Sequence, residues 1–138
     1  MNGLGIAIAF VWAGMVLAIS FLEAPLKFRA PGVTLPIGLG IGRLVFRALN
    51  LIELGFAVVL LASQLVARPG WSVMMIIAAP VLMLAGQLIL IRPGLNRRTD
   101  RVLTGVDVPR SRLHHAYVIT ELIKVVALLG AGILLLQD

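Results

Sequence analysis

Four long apolar runs organise the chain. They cover residues 3–23, 44–67, 70–91 and 113–136, and polar or breaker-rich stretches separate them. Crossing the roughly 30 Å hydrocarbon core of a bilayer takes about 20 apolar residues at the rise of a helix, and each run meets that requirement. The pattern predicts an all-α integral membrane protein, a bundle of four transmembrane helices in one transmembrane domain over 1–138. The first run reads as a span and not as a cleaved leader. Met1 and Asn2 bring no positive charge ahead of it, and Glu23-Ala24-Pro25 is a poor cleavage site.

The breakers set the expected boundaries. Pro25 stops the first helix after Glu23. Residues 30–42 carry Pro31, Pro36 and four glycines but no charge. Thirteen residues are too few to span, so a short re-entrant or interfacial segment is expected between helices 1 and 2. Gly38, Gly40 and Gly42 look superficially like a phosphate loop. The Lys-Ser/Thr pair of such a loop is missing, and close packing on a neighbouring helix is the expected role. Arg68-Pro69-Gly70 forms a turn, and Trp71 sits where an interfacial anchor belongs. Pro80 should kink the third helix, and Arg92-Pro93-Gly94 should end it. Residues 95–112 read as an exposed loop with one amphipathic turn at most.

Composition agrees with the pattern. Hydrophobic residues make up 60% of the chain and charged residues 13%, and mean hydropathy is +1.05. Soluble domains carry about 25% charged residues. There is no cysteine, which excludes disulfides, thiolate metal sites and a cysteine nucleophile. The net charge of +6 does not point to nucleic acid, because the basic residues lie in short loops beside spans and no aromatic-basic platform accompanies them. Lys27, Arg29, Arg43, Arg47, Arg92, Arg97, Arg98, Arg101, Arg110 and Arg112 border the first and third loops, whereas the middle loop has only Arg68. The positive-inside rule therefore expects those two loops in the cytoplasm and both termini outside.

Candidate chemistry lies inside the spans. His114, Tyr117, Glu121 and Lys124 follow i, i+3, i+7, i+10 spacing and share one helix face. Arg43, Arg47 and Asn50 share another, with Glu53 at its edge. Gln87 is the strongly polar residue of the third run, and Glu23 closes the first. With this topology, Glu53 lies about 9 Å and Glu121 and Lys124 roughly 9–14 Å inside the same membrane half. Ionisable groups in a span face the bundle interior and pair. The expected pairs are Glu53 with Lys124, Glu121 with Arg47, and Glu23 with Arg43. Such a layer either fixes helix register or lines a cytoplasm-facing polar cavity. A metal site is not expected, since the Glu-x-x-His signature is missing and Lys124 and the arginines already supply countercharge. Haem ligation by His114 or His115 would rest on lone histidines, and no serine has a histidine-acid partner at a recognisable spacing.

Two resemblances attach to these residues. Ala24-Pro25-Leu26-Lys27-Phe28, Gly42-Arg43-Leu44-Val45-Phe46 and a histidine opening the last span resemble the four-span family that includes transmembrane protein 205 and its bacterial relatives. That likeness covers most of the chain. It implies a four-helix bundle of unassigned role, with transport as the expectation. The expected location is a bacterial inner (plasma) membrane. Arg47-Ala48-Leu49-Asn50-Leu51-Ile52-Glu53 is similar to the second span of the membrane-associated eicosanoid and glutathione metabolism family, whose members are usually trimers. One residue separates Ala48 from Asn50 where that family has two, which turns Asn50 by about 100°.

The expectation is a small membrane protein that binds or transports an ion or a small polar or amphipathic solute. Glu53, Glu121 and Lys124 would be its charged centre, with Arg43, Arg47 and His114 at the mouth. The alternatives are a membrane enzyme acting on a lipophilic substrate with glutathione or haem, and an accessory subunit of a larger membrane complex. The expected partners are the lipid bilayer and either copies of the same chain or a membrane complex. The sequence specifies no cofactor.

Overall fold

The computed structural model describes residues 3–109 and 112–137. It is an all-α bundle with four helices long and apolar enough to cross a membrane: α1 (Gly3–Arg29), α2 (Leu35–Ala67), α3 (Trp71–Leu103) and α4 (Arg112–Gln137). No strand occurs among the described residues. Short connections make successive helices antiparallel. The turn from α1 to α2 and the connection from α3 to α4 therefore lie at one end, which also carries most of the lysines and arginines. α4 is the most enclosed helix and packs on both α1 and α3, while α2 packs on α1.

The apolar core fills the half of the bundle away from that basic end. Trp12, Ala13 and Val16 of α1 meet Ala57 and Leu60 of α2, Val73, Ile77 and Leu84 of α3, and Val125, Leu128, Ala131 and Leu135 of α4. Small residues set the spacing. The Phe10 ring lies where a Cβ on Gly132 would project, so α1 and α4 approach closely at that level. Large apolar side chains such as Leu51, Val58, Leu65 and Ile89 face outward, as bilayer contact requires.

Three boundaries differ from the sequence expectation, and each difference lengthens a helix toward the basic end. Pro25 does not stop α1, and Pro93 does not stop α3. A proline has no N–H and its ring collides with the carbonyl four residues back. Here each proline follows a π-helical stretch, Leu17–Glu23 in α1 and Gln87–Ile91 in α3. A π turn carries an extra residue and shifts the ladder to i→i+5, which takes up the break and lets both helices continue. The helix consequently runs on through residues 92–103, against the loop expected over 95–112, with Thr99 and Val102 buried and Arg97, Asp100 and Arg101 exposed.

The third difference concerns residues 30–42. Only 30–34 separate α1 from α2, and Leu35 already opens the helix. The Thr34 hydroxyl accepts from the Ile37 N–H at 3.4 Å as an N-cap, and Pro36 sits in the first turn, where its missing N–H costs nothing. The glycine-rich stretch is thus the first two turns of a 33-residue helix, about 50 Å long. Its glycines admit neighbours: the Phe28 ring occupies the space beside Gly38, and the Lys27 ammonium the space beside Gly42. Gly40 faces open space. Gly32, at φ 83°, makes the turn before the helix.

Candidate functional site

All four helices contribute to one buried polar cluster at the inner edge of the apolar core. Glu53, Glu121 and Lys124 are 0%, 1% and 0% exposed. The Lys124 ammonium donates to Glu53 Oε2 at 2.5 Å, Glu121 Oε1 at 2.6 Å and Gln87 Oε1 at 2.8 Å. An ammonium has three donors, and all three are used. Gln87 Nε2 donates to Glu121 Oε1 at 2.7 Å and to Thr120 Oγ1 at 2.8 Å. Ser20 Oγ donates to Glu121 Oε2 at 2.5 Å, and Trp12 Nε1 to Glu53 Oε2 at 2.8 Å. Among the described residues of this cluster, Glu53 Oε1 alone lacks a hydrogen-bond partner.

The two π stretches bracket this cluster. Ser20 lies within the one in α1, and Gln87 opens the one in α3. The extra residue in each turn aims a polar side chain at Glu121 from opposite sides. The same prolines that force the π turns thus help assemble the cluster.

Next to it, toward the basic end, lies a partly open cavity of about 350 Å³, the size of a small-molecule site. Glu121 and Ser20 line its inner end, where it meets the cluster. Phe21, Pro25, Phe28, Leu39 and Val118 give it an apolar wall. Its charged lining is lopsided: Lys27, Arg43, Arg92 and Arg98 against the single carboxylate of Glu121. Two of these cations are paired. Lys27 meets Glu23 at 3.8 Å, and Arg43 meets Asp100 at 2.5 Å and donates to the Asn96 carbonyl at 3.1 Å. Arg98 donates to the Pro109 carbonyl at 3.2 Å. The Arg92 guanidinium lies 4.8 and 4.5 Å from the ring centres of Phe46 and Tyr117, in cation–π contact with both, and these two rings meet edge to face. Its Nε and Nη2 and the Tyr117 hydroxyl are shut off from solvent and make no well-formed hydrogen bond in the protein, although the two side chains interact with each other.

The sequence-predicted residues fall into three groups. Glu53, Gln87, Glu121 and Lys124 meet in the cluster. Arg43, His114 and Tyr117 line the cavity, as Glu121 also does. Glu23, Asn50 and Arg47 do neither: Glu23 pairs with Lys27, Asn50 is buried with its Oδ1 unpartnered, and Arg47 is exposed. Two expected pairs are therefore replaced. Glu121 pairs with Lys124 instead of Arg47, and Glu23 with Lys27 instead of Arg43. The helix turn explains Arg47. At 100° per residue it points about 120° away from Glu53, off the face that carries Phe46, Asn50 and Glu53 inward.

Sequence reasoning missed Trp12, Ser20, Lys27, Arg92 and Arg98. The first two are ordinary residues of an apolar span. The last three looked like loop cations, and the signal that could have found them is amphipathic spacing carried on past Pro25 and Pro93. Among the described residues no three His, Asp or Glu side chains converge as a metal-binding group. No protein-family model matches the chain, and neither the curated proteins nor the solved structures searched give a match.

Proposed function

We propose that this protein binds, and passes between membrane and cytoplasm, a small amphipathic solute held in the cavity at its basic end. The observation that carries this reading is the cavity itself. It joins an apolar wall to a set of cations that outnumbers the carboxylates, inside a bundle whose other half is dry. A purely structural ion network would leave no room between its members, whereas here about 350 Å³ separates the basic helix ends. By the positive-inside rule the cavity opens to the cytoplasm and both termini lie outside. The resemblance to the four-span family that includes transmembrane protein 205 supports a transport-linked role, and a bacterial plasma membrane is the location this reading expects. The exposed apolar faces would contact lipid, further copies of the chain or a larger membrane complex.

Reconstitution tests the reading. Proteoliposomes carrying the wild-type chain are expected to take up or release a fluorescent short-chain amphiphile faster than protein-free liposomes. Val118→Trp, which fills the cavity from α4, should remove the difference while the protein still elutes as a folded species. Equal flux with and without protein, for anionic, neutral and cationic amphiphiles alike, would reject it.

A further inference from the structure

The reading above leaves the chemistry of the solute open, and the cavity lining narrows it. We propose that the cavity is a site for an oxyanion, a phosphate or carboxylate group borne on an apolar chain, with Arg92 and Tyr117 as its inner contacts and Arg98 nearer the mouth. This deepens the proposed function and rests on it.

The argument starts from what Arg92 lacks. Among the described residues no carboxylate pairs with Arg92 or with Arg98. Glu121, the one acid of the lining, is already held by Lys124, Gln87 and Ser20. Arg92 is held instead by the faces of Phe46 and Tyr117. Cation–π contact holds a guanidinium in place without using its N–H groups. The edge is left as a planar fork of donors, the geometry that matches two oxygens of a carboxylate or phosphate. Next to it the Tyr117 hydroxyl, on a side chain only 6% exposed, also makes no well-formed hydrogen bond. Buried donors without acceptors are rare in folded proteins and point to a missing ligand or solvent group. Three such donor atoms sit on two touching side chains that line one cavity, and a small rotation of either side chain would present them to a group that only accepts hydrogen bonds and carries negative charge.

The apolar half of the ligand follows from the wall. Phe21, Phe28 and Val118 line the cavity, yet they are 37%, 39% and 40% exposed. A fully hydrophilic anion would leave these surfaces bare. A hydrocarbon chain laid along them would be covered on one side and lead from the arginines to the bilayer.

The test uses the full-length protein in phosphatidylcholine nanodiscs, with protein-free nanodiscs as the partition blank. The probes are dodecyl phosphate, dodecanoate, dodecanol, dodecyltrimethylammonium and inorganic phosphate, titrated calorimetrically. The two anionic amphiphiles should bind saturably, at least tenfold more tightly than dodecanol or the cationic probe. Arg92→Gln and, more weakly, Arg98→Gln should reduce that affinity about tenfold and threefold. Arg97→Gln, an exposed arginine on the same helix and outside the cavity, should change nothing. Arg92→Lys keeps the charge but loses the fork, and should recover only part of the loss. Inorganic phosphate binding as tightly as dodecyl phosphate would overturn the apolar half of the proposal. Equal losses for Arg97→Gln and Arg92→Gln would show diffuse surface attraction and overturn the site. Tighter binding of dodecanol or the cation would overturn the oxyanion while leaving a solute cavity standing. Absence of saturable binding by every probe would take the proposed function down with it. Should Arg92→Gln fail to fold, Arg98→Gln alone decides, because its guanidinium is near the mouth and only its Pro109 contact is lost.

Discussion

Two polar regions adjoin at Glu121 in this bundle and are built on opposite rules. In the inner one, around Lys124, donors and acceptors match almost atom for atom across four helices, and apolar side chains seal it. In the outer one, around Arg92, cations exceed carboxylates, donors lack acceptors, and a cavity replaces packing. A membrane span tolerates charge only when it is paired, so the inner region behaves as an element of the fold. The outer region retains binding capacity that the fold does not use. Under the proposed function the difference separates a structural charge from a ligand-binding one more cleanly than burial does, since both regions contain side chains that are largely enclosed.

The sharpest way to break the comparison is to remove the inner cation. Lys124→Met leaves the Glu53 and Glu121 carboxylates facing each other without an ammonium, in a site that water does not reach. Removing one partner of a buried ion pair costs about 3–5 kcal/mol, whereas replacing the whole set by uncharged groups is often neutral. Lys124→Met should therefore lower stability in detergent by about that amount. The triple variant Glu53→Gln, Glu121→Gln, Lys124→Met should regain most of it. Reversible unfolding followed by circular dichroism reads both, and an unchanged midpoint for Lys124→Met would mean that the cluster does not hold the helices.

The inner region was the more legible of the two, and for the same physical reason. Glu53, Glu121 and Lys124 stand out because each interrupts a run that must otherwise be hydrocarbon, and i, i+3 spacing alone brings Glu121 and Lys124 together on α4. Trp12 and Ser20 could not be read this way. Tryptophan and serine are unremarkable in a span, and their partners are 41 and 101 residues away. The four spans were legible because bilayer thickness dictates length. Their extensions were not, because Pro25 and Pro93 end helices by local rules, and only packing against the rest of the bundle sustains a π turn ahead of them. With those extensions hidden, the cations of the cavity read as topology signals in loops, and the cavity had no visible walls.

The contact between α1 and α4 beneath the cluster gives the next largest effect. Gly132 has Phe10 ring atoms where its Cβ would be, so Gly132→Leu forces either the ring or the helices to move. Overpacking of this kind costs about 1–3 kcal/mol. The expected result is a lower unfolding midpoint with amphiphile binding retained in the folded fraction, because Phe10 and Gly132 lie away from the cavity. Loss of binding at temperatures where the variant is still folded would show that the two regions are coupled and not merely adjacent.

Arg92→Gln should do the reverse. The change gives up two ring contacts worth about 0.5–1 kcal/mol each. It also removes guanidinium N–H groups that have no acceptor, each of which costs about 1–3 kcal/mol when left unsatisfied. The second contribution offsets the first, so stability should not fall by more than about 1 kcal/mol below wild type, measured in the same unfolding assay as Lys124→Met, while the flux and binding described above fall. A destabilisation as large as that of Lys124→Met would erase the distinction between the regions and make Arg92 a structural residue.

The smallest effect should come from the ion pair at the cavity mouth. Arg43 and Asp100 join α2 to α3 at 2.5 Å, but their side chains keep 32% and 63% of their surface exposed. Exposed pairs contribute about 0.2–1 kcal/mol, and salt screens them. A double-mutant cycle with Arg43→Gln and Asp100→Asn should give a coupling energy in that range, shrinking as sodium chloride is raised from low to molar concentration. Arg47→Gln, one turn along and pointing outward, should show no coupling to Asp100. The cycle also sharpens the comparison, because Arg43 belongs to the cavity lining yet already has an acid. If Asp100 serves to neutralise Arg43, then Asp100→Asn should free a further cation and tighten binding of an anionic amphiphile, while Arg43→Gln alone weakens it only slightly. Binding that falls equally in both single variants would mean that the pair positions the mouth as a unit, and that the site depends on Arg43 as well as on Arg92 and Arg98.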